Sequence, residues 1–161
     1  MSLSHVGPDG AARMVDVGAK PATERTATAE GAVRMSRTAF ELVESNAVSK
    51  GDVLGVARLA GIQAAKRTAE LIPLCHPVSL TYIEVEPALD SSLPGVRITA
   101  SARCEGKTGV EMEALTAVAA ACLTVYDMVK SADRGMIIEA VRLIHKSGGR
   151  SGDYTAPPHS D

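Results

Sequence analysis

The sequence has no tryptophan, one phenylalanine and three tyrosines in 161 residues. That scarcity excludes recognition of single-stranded nucleic acid through rows of aromatic stacking platforms. Positive charge is not in excess either. Seventeen Lys and Arg stand against nineteen Asp and Glu, a formal net charge of −2, so duplex DNA and anionic membranes have no electrostatic footprint to meet. Uninterrupted apolar runs fall short of the ~20 residues that cross a bilayer, and the N-terminal region has no secretory apolar segment. Cysteine is sparse. Cys75, Cys104 and Cys122 are far apart and none belongs to a C-x-x-C pair. Such a set fits reduced thiols packed as small apolar groups in a cytoplasmic protein, with no metal site. The length suits a single domain over 1–161, with 1–12 and 154–161 as mobile ends.

What is present alternates between strand and helix signals. Residues 13–31 lack clear periodicity and are expected to form an ordered functional loop. AVRM (32–35) is a short strand. Ser36 caps a helix reaching about Asn46, with Phe40 and Val43 inward. Lys50-Gly51 breaks the chain, and Asp52 caps a second helix to about Glu70. Pro73 and Pro77 stiffen Leu74-Cys75-His76. Strands follow over 79–89 and 95–104, joined by the SSLPG turn. A long helix from Thr108 to about Asp133 precedes a last strand over 137–146. The order β, α, α, β, β, α, β predicts an α+β, ferredoxin-like βαββαβ fold with an extra helix in its first crossover. Its four-stranded antiparallel sheet carries helices on one face. Such a fold hosts many activities, so function has to come from particular residues.

The long helix is apolar around nearly its whole circumference, which marks it as buried. One sheet covers only one side, so the other side is expected to meet a second subunit, with Ala119–Ala121 allowing close approach. Four central charges interrupt the helix: Glu111, Glu113, Asp127 and Lys130. Glu111 stands three residues after Thr108, so this T-x-x-E reads either as a capping box, a purely structural role, or as a functional carboxylate. Asp127 and Lys130 are an i,i+3 pair that can be structural or functional. Glu113 has no capping role. Asp127 lies about 40° around the helix from Glu113 but ~21 Å along it, so one small reacting atom touches both only if two chains share a site.

The pattern Gly106-Lys107-Thr108-Gly109 resembles the end of a Walker A loop, but Ser101 stands where the first glycine belongs. Glu111 and Glu113 would also repel phosphate there, and the NTPase reading is rejected. His76, held in its proline-bracketed loop, suits ligand contact better than metal ligation. The run from Lys146 to Gly152 offers cations and flexible backbone N–H groups of the kind that enclose phosphate, or else a basic tail. Lys20, Arg25, Lys50, Lys66 and Lys130 lie near breaks and helix ends. Cations of this kind with acids in a buried helix suit a polyphosphorylated small molecule undergoing proton transfer.

Four stretches carry a closer likeness: MVDVGAK (14–20), KGDVLGVARLAGIQAAKRTAELIPLCHP (50–77), GKTGVEMEALTAVAAACLTVYDM (106–128) and KSGGRSG (146–152). They resemble the MoaC family, the cyclic pyranopterin monophosphate synthases of molybdenum cofactor biosynthesis. Gly18 stands where the family commonly has Ser, and Arg150 where it often has Lys. The resemblance implies a cyclised dihydro-GTP as substrate, with cyclic pyranopterin monophosphate and pyrophosphate as products. It implies Lys50 and Lys130 as general acid and base and Asp127 as the carboxylate that orients or deprotonates. Leu74, Cys75, His76, Met112 and Glu113 match substrate-binding segments, and Glu111 lies beside them. Arg25, Lys66 and Lys146 would hold the triphosphate. No cofactor is required by this likeness, although a divalent cation such as Mg²⁺ can accompany the triphosphate. The expected assembly is a homohexamer, a trimer of dimers with active sites at the dimer interface.

Overall fold

The computed structural model describes residues 9–150 and 152–158. The chain runs β1 (Thr23–Arg34), α1 (Arg37–Glu44), α2 (Val53–Lys66), α3 (Thr68–Leu71), β2 (Leu80–Asp90), β3 (Gly95–Gly106), α4 (Glu111–Val129), β4 (Ile137–Ser147) and β5 (Tyr154–Thr155). The strands form one antiparallel sheet ordered β2-β3-β1-β4-β5. Its first four strands have the ferredoxin-like arrangement predicted above, with α2 and α4 packed on one face.

The largest departure is β1. It begins at Thr23, not Ala32, and pairs with β3 along its full length, from Thr23 opposite Gly106 to Arg34 opposite Gly95. Its inward positions include Ala27, Ala29 and Val33, all buried. The two-residue alternation is therefore real, but small side chains carry it and hydropathy hardly registers it. On the outward face, hydroxyls pair across strands: Thr28 with Ser101 at 3.0 Å and Thr26 with Ser147 at 2.6 Å.

The second departure is at the C-terminal end. Tyr154 and Thr155, expected in a mobile end, form β5 by pairing with Lys146 and His145. The exposed edge of β4 supplies a template that the local sequence does not reveal. Arg142 adds a bond from Nη1 to the Pro157 carbonyl at 3.1 Å. Residues 1–8, 151 and 159–161 of the expected ends and tail lie outside the described residues.

The helices follow their caps. Ser36 Oγ accepts from the Ala39 amide, and Asp52 Oδ1 accepts from the Gly55 amide, each side-chain cap contributing about 1 kcal/mol. The second helix stops at Lys66, short of the expected Glu70. Buried Thr68 turns its hydroxyl back to the Ala64 and Ala65 carbonyls, so a separate short α3 begins there. Gly61 lets α2 approach α4: a Cβ on it would lie 2.9 Å from the Ala117 carbonyl oxygen and 3.0 Å from Val85 Cγ1.

In β2 a register shift between Leu80 and Tyr82 turns Tyr82 outward beneath the Arg103 guanidinium, while Val85 points into the core. In β3 the expected inward set of Val96, Ile98, Ala100, Ala102 and Cys104 is buried throughout. By length and composition alone, α4 is apolar enough to cross a membrane. Counting uninterrupted runs did not reveal this. In the fold its inner side (Ala114, Ala117, Val118, Ala121, Cys122 and Val125) is fully buried in the protein core.

Candidate active site

The elements converge on the N-terminal end of α4. Two cavities lie there side by side and share Thr108, Gly109 and Glu111 in their walls. The first, of about 400 Å³, is bounded by the start of β1, the loop before α4 and the turn after β4. Five cations line it: Lys20, Arg25, Lys107, Lys146 and Arg150. Its acidic lining residue, Glu111, accepts from Lys146 Nζ at 3.0 Å. Lys107 Nζ donates to the Gly18 carbonyl at 2.6 Å and ties the 14–20 segment to the cavity mouth. A concave surface with this charge selects a polyanion.

The second cavity, about 430 Å³, is walled by Ile72, Leu74, Cys75, His76 and Met112. The loop between the two prolines lies beside the start of α4, with Cys75 next to Glu113. Beneath it lies Glu113, only 2% exposed. The Cys75 thiol reaches Glu113 Oε1 at 3.9 Å, and Oε2 has no hydrogen-bond partner. Burial pushes the Glu113 carboxyl above its ordinary range. Burial and the adjoining Glu113 likewise push the Cys75 thiol up, so Cys75 stays protonated near neutrality and is no thiolate nucleophile. An unpaired buried acceptor behind a largely apolar cavity is suited to the donor edge of a heterocycle.

One reading of the sequence needs correction here. The capping box does not form: Val110 occupies the cap position of α4 without a side-chain cap, and Glu111 engages Lys146 instead. The helix begins at Glu111, three residues past Thr108, so Thr108 is not at its cap, and the end of β4 places Lys146 within reach of the Glu111 carboxylate. Within one chain Lys66 lies apart from Arg25 and Lys146. It lines a separate groove with Val78 and residues 80–83, because α2 ends on the β2 side of the sheet.

The opposite end of α4 bears a second cluster. Lys50 Nζ donates to Asp127 Oδ2 at 2.7 Å and to the Asp127 carbonyl at 2.8 Å, while Lys130 Nζ meets Asp127 Oδ1 at 2.7 Å. Two ammonium groups thus share one carboxylate within a single chain. They hold the Asp127 carboxyl down to about 2, Lys130 more than Lys50. All three side chains are about half-exposed, so of the four helix charges only Glu113 is truly buried. Exposed pairs of this kind add little stability, and the arrangement leaves one surplus positive charge facing outward.

The outer stripe of α4 runs through Thr116, Ala119 and Ala120, each partly exposed, to the exposed Leu123, Asp127 and Lys130, with Leu123 61% exposed. On α2, Val56 and Leu59 are also exposed. Lys107 lines the first cavity although it is not among the candidate site residues of the sequence; its signal is its place between strand and helix in Gly106-Lys107-Thr108-Gly109. Among the described residues no three His, Cys, Asp or Glu side chains gather as a metal site.

Relatives place these features in one family. The MoaC family model matches residues 14–149. A cyclic pyranopterin monophosphate synthase from Methylobacterium sp. (strain 4-46) is 63% identical over 157 residues, 98% of each chain. Its counterpart from Methylobacterium nodulans is 61% identical over 157 residues, again 98% of each chain. The protein of that description from Brucella ovis is 59% identical over 152 residues, 94% of this chain and 92% of its own. With the matched region spanning both cavities and the Lys50–Asp127–Lys130 cluster, the chain belongs to the MoaC family.

Proposed function

We propose that the chain is a cyclic pyranopterin monophosphate synthase, a cytoplasmic lyase of molybdenum cofactor biosynthesis. It converts (8S)-3',8-cyclo-7,8-dihydroguanosine 5'-triphosphate into cyclic pyranopterin monophosphate and pyrophosphate. The observation that carries this reading is the five-cation cavity adjoining the Leu74–Met112 cavity at the head of α4. The first takes the triphosphate. In the second, Leu74, Cys75, His76 and Met112 enclose the purine-derived rings, and Glu113 accepts from their donor edge. Glu111 stands between the two and balances Lys146.

In the reaction a substrate hydroxyl oxygen attacks the α-phosphorus and the bond from that phosphorus to the bridging oxygen breaks. Pyrophosphate leaves, and the hydroxyl proton passes to a base. Ring opening and closure need further proton transfers. Lys50 and Lys130 supply and accept these protons, and Asp127 fixes both ammonium groups on its two oxygens. No redox cofactor is required, and a divalent cation such as Mg²⁺ can accompany the triphosphate as part of the substrate.

The acid–base cluster and the cavities lie at opposite ends of α4, so a complete site uses two chains. Residues 113 and 127 are equidistant from Ala120. Two α4 helices apposed antiparallel along the outer stripe, crossing at Ala119–Ala120, bring Asp127 of one protomer to the cavity end of its partner. A two-fold axis generates two such sites per dimer, and three dimers complete a homohexamer.

The test is direct. Purified protein incubated with the cyclised dihydro-GTP should release pyrophosphate, and Lys50→Ala or Lys130→Ala should each reduce release by about 100-fold or more with assembly intact. Unimpaired release by both variants refutes the assigned roles. Binding of the substrate without any turnover would favour a nucleotide-sensing module instead.

A further inference from the structure

The turn after β4 contributes to the cationic cavity without contributing a charge of its own at its closest point. Pairing between β1 and β4 ends at Thr26 opposite Ser147. Beyond it the chain turns through Gly148 and Gly149, at φ +93° and +77°. A Cβ on Gly149 would stand 1.5 Å from Arg25 Nη1 and 2.4 Å from its Cζ, and one on Gly148 would stand 2.2 Å from the Glu24 carbonyl oxygen. The guanidinium therefore lies directly on bare backbone. On its other side Arg25 Nε donates to the Gly106 carbonyl at 3.4 Å.

Positive φ alone accounts for glycine only in part, since Asn or Asp enters that region at modest cost. The space does the rest, because no side chain fits between this backbone and the guanidinium. We infer that Gly149, with Gly148 beside it, is a positioning residue for substrate affinity: the side-chain-free turn is the seat that holds Arg25 against the wall of the phosphate cavity. Arg25 is the one planar fork clamped there from both sides, and a fork binds phosphate by two parallel bonds only while its plane is fixed. This inference rests on the assignment of that cavity to the triphosphate.

The experiment is a double-mutant cycle on the full-length, assembled protein, combining Gly149→Ala with Arg25→Ala. The readouts are KM for the cyclised dihydro-GTP, kcat, and competitive inhibition by inorganic triphosphate. Arg25→Ala should weaken triphosphate inhibition about 10- to 100-fold, the range for a lost charged hydrogen bond. Gly149→Ala should do nearly the same, raising KM while leaving kcat within about twofold, as expected for lost uniform binding. In the Arg25→Ala background, where the colliding atoms are gone, Gly149→Ala should cost nothing more.

Additive losses would trace the effect to strain in the turn and overturn the inference, leaving the phosphate assignment intact. Unchanged triphosphate inhibition in Arg25→Ala alone would instead remove the phosphate assignment, and the inference with it. Should Gly149→Ala fail to assemble, the double variant decides: restored assembly upholds the seat, and continued failure refutes it.

Discussion

A site divided between two chains makes a quantitative prediction about mixed oligomers. Asp127 and Glu113 are fourteen residues apart on one straight helix, ~21 Å at 1.5 Å per residue. A general acid or base acts only within about 3 Å of the proton it moves, or through one water. In one protomer the acid–base cluster therefore cannot serve the cavities at the other end of α4. Consider chains carrying Asp127→Ala mixed in equal amounts, after unfolding and reassembly, with chains carrying Glu113→Gln and Lys146→Ala. Random pairing makes half the dimers mixed, and each mixed dimer has one intact site and one doubly damaged site. About a quarter of all sites are then wild-type in composition, and pyrophosphate release should return to about a quarter of the wild-type rate. A second mixture supplies the control. Lys50 and Asp127 are hydrogen-bonded within one chain, so Lys50→Ala and Asp127→Ala chains should show no rescue. Failure of the first mixture with mixed oligomers verified by mass, or rescue in the second, refutes the shared site.

Other outcomes follow from the packing and the charges. Glu113 titrates above its ordinary value of 4.5 because it is buried, so the folded chain holds a proton that the unfolded chain has lost. Stability should fall as pH rises through and above that value; melting curves of Glu113→Gln should lack this fall. Asp127, held at about 2 by its two lysines, remains ionised at any pH the enzyme experiences. Asp127 should therefore contribute no acidic limb to the rate profile near neutrality, and an Asp127→Asn variant should lose rate at every pH, not only on one limb. Gly61→Ala gains ~1 kcal/mol in helix propensity but drives a methyl against the Ala117 carbonyl, at an overpacking cost of about 1–3 kcal/mol. Denaturant titration should show a net loss of stability, and an increase would mean that α2 and α4 separate easily.

The sequence made the order of the main elements legible because caps and breakers did most of the work. Ser36, Asp52 and the SSLPG turn each sit where their side-chain or backbone preferences place them. The start of β1 was hidden because Ala27 and Ala29 fill the inward positions: burial there follows from smallness beneath α4. β5 was hidden for a different reason, since a two-residue strand exists only through the neighbour it pairs with. At the site, the loop carrying Leu74 to His76 and the burial of Glu113 were readable from proline placement and helix pattern. Lys50 meeting Asp127 was not, because 77 residues separate them and only the docking of the α1–α2 turn onto the end of α4 joins them. The capping-box motif at Thr108 failed because α4 begins only at Glu111, whose side chain pairs with Lys146 from a distant strand.

The short closing strand also bears on how the sheet protects itself. An open sheet has two rims of unpaired amides that invite foreign strands. Along β2 that invitation is blunted by Pro87, which has no N–H, by the charges of Glu84 and Glu86, and by the irregularity near Tyr82. The β4 rim has no proline, and the segment from Tyr154 to Ala156 shields it from Lys146 to Ile144, next to the phosphate cavity. Trimming the chain before Tyr154 would uncover amides at the mouth of that cavity, so a truncated protein would be both stickier and poorer at holding its substrate.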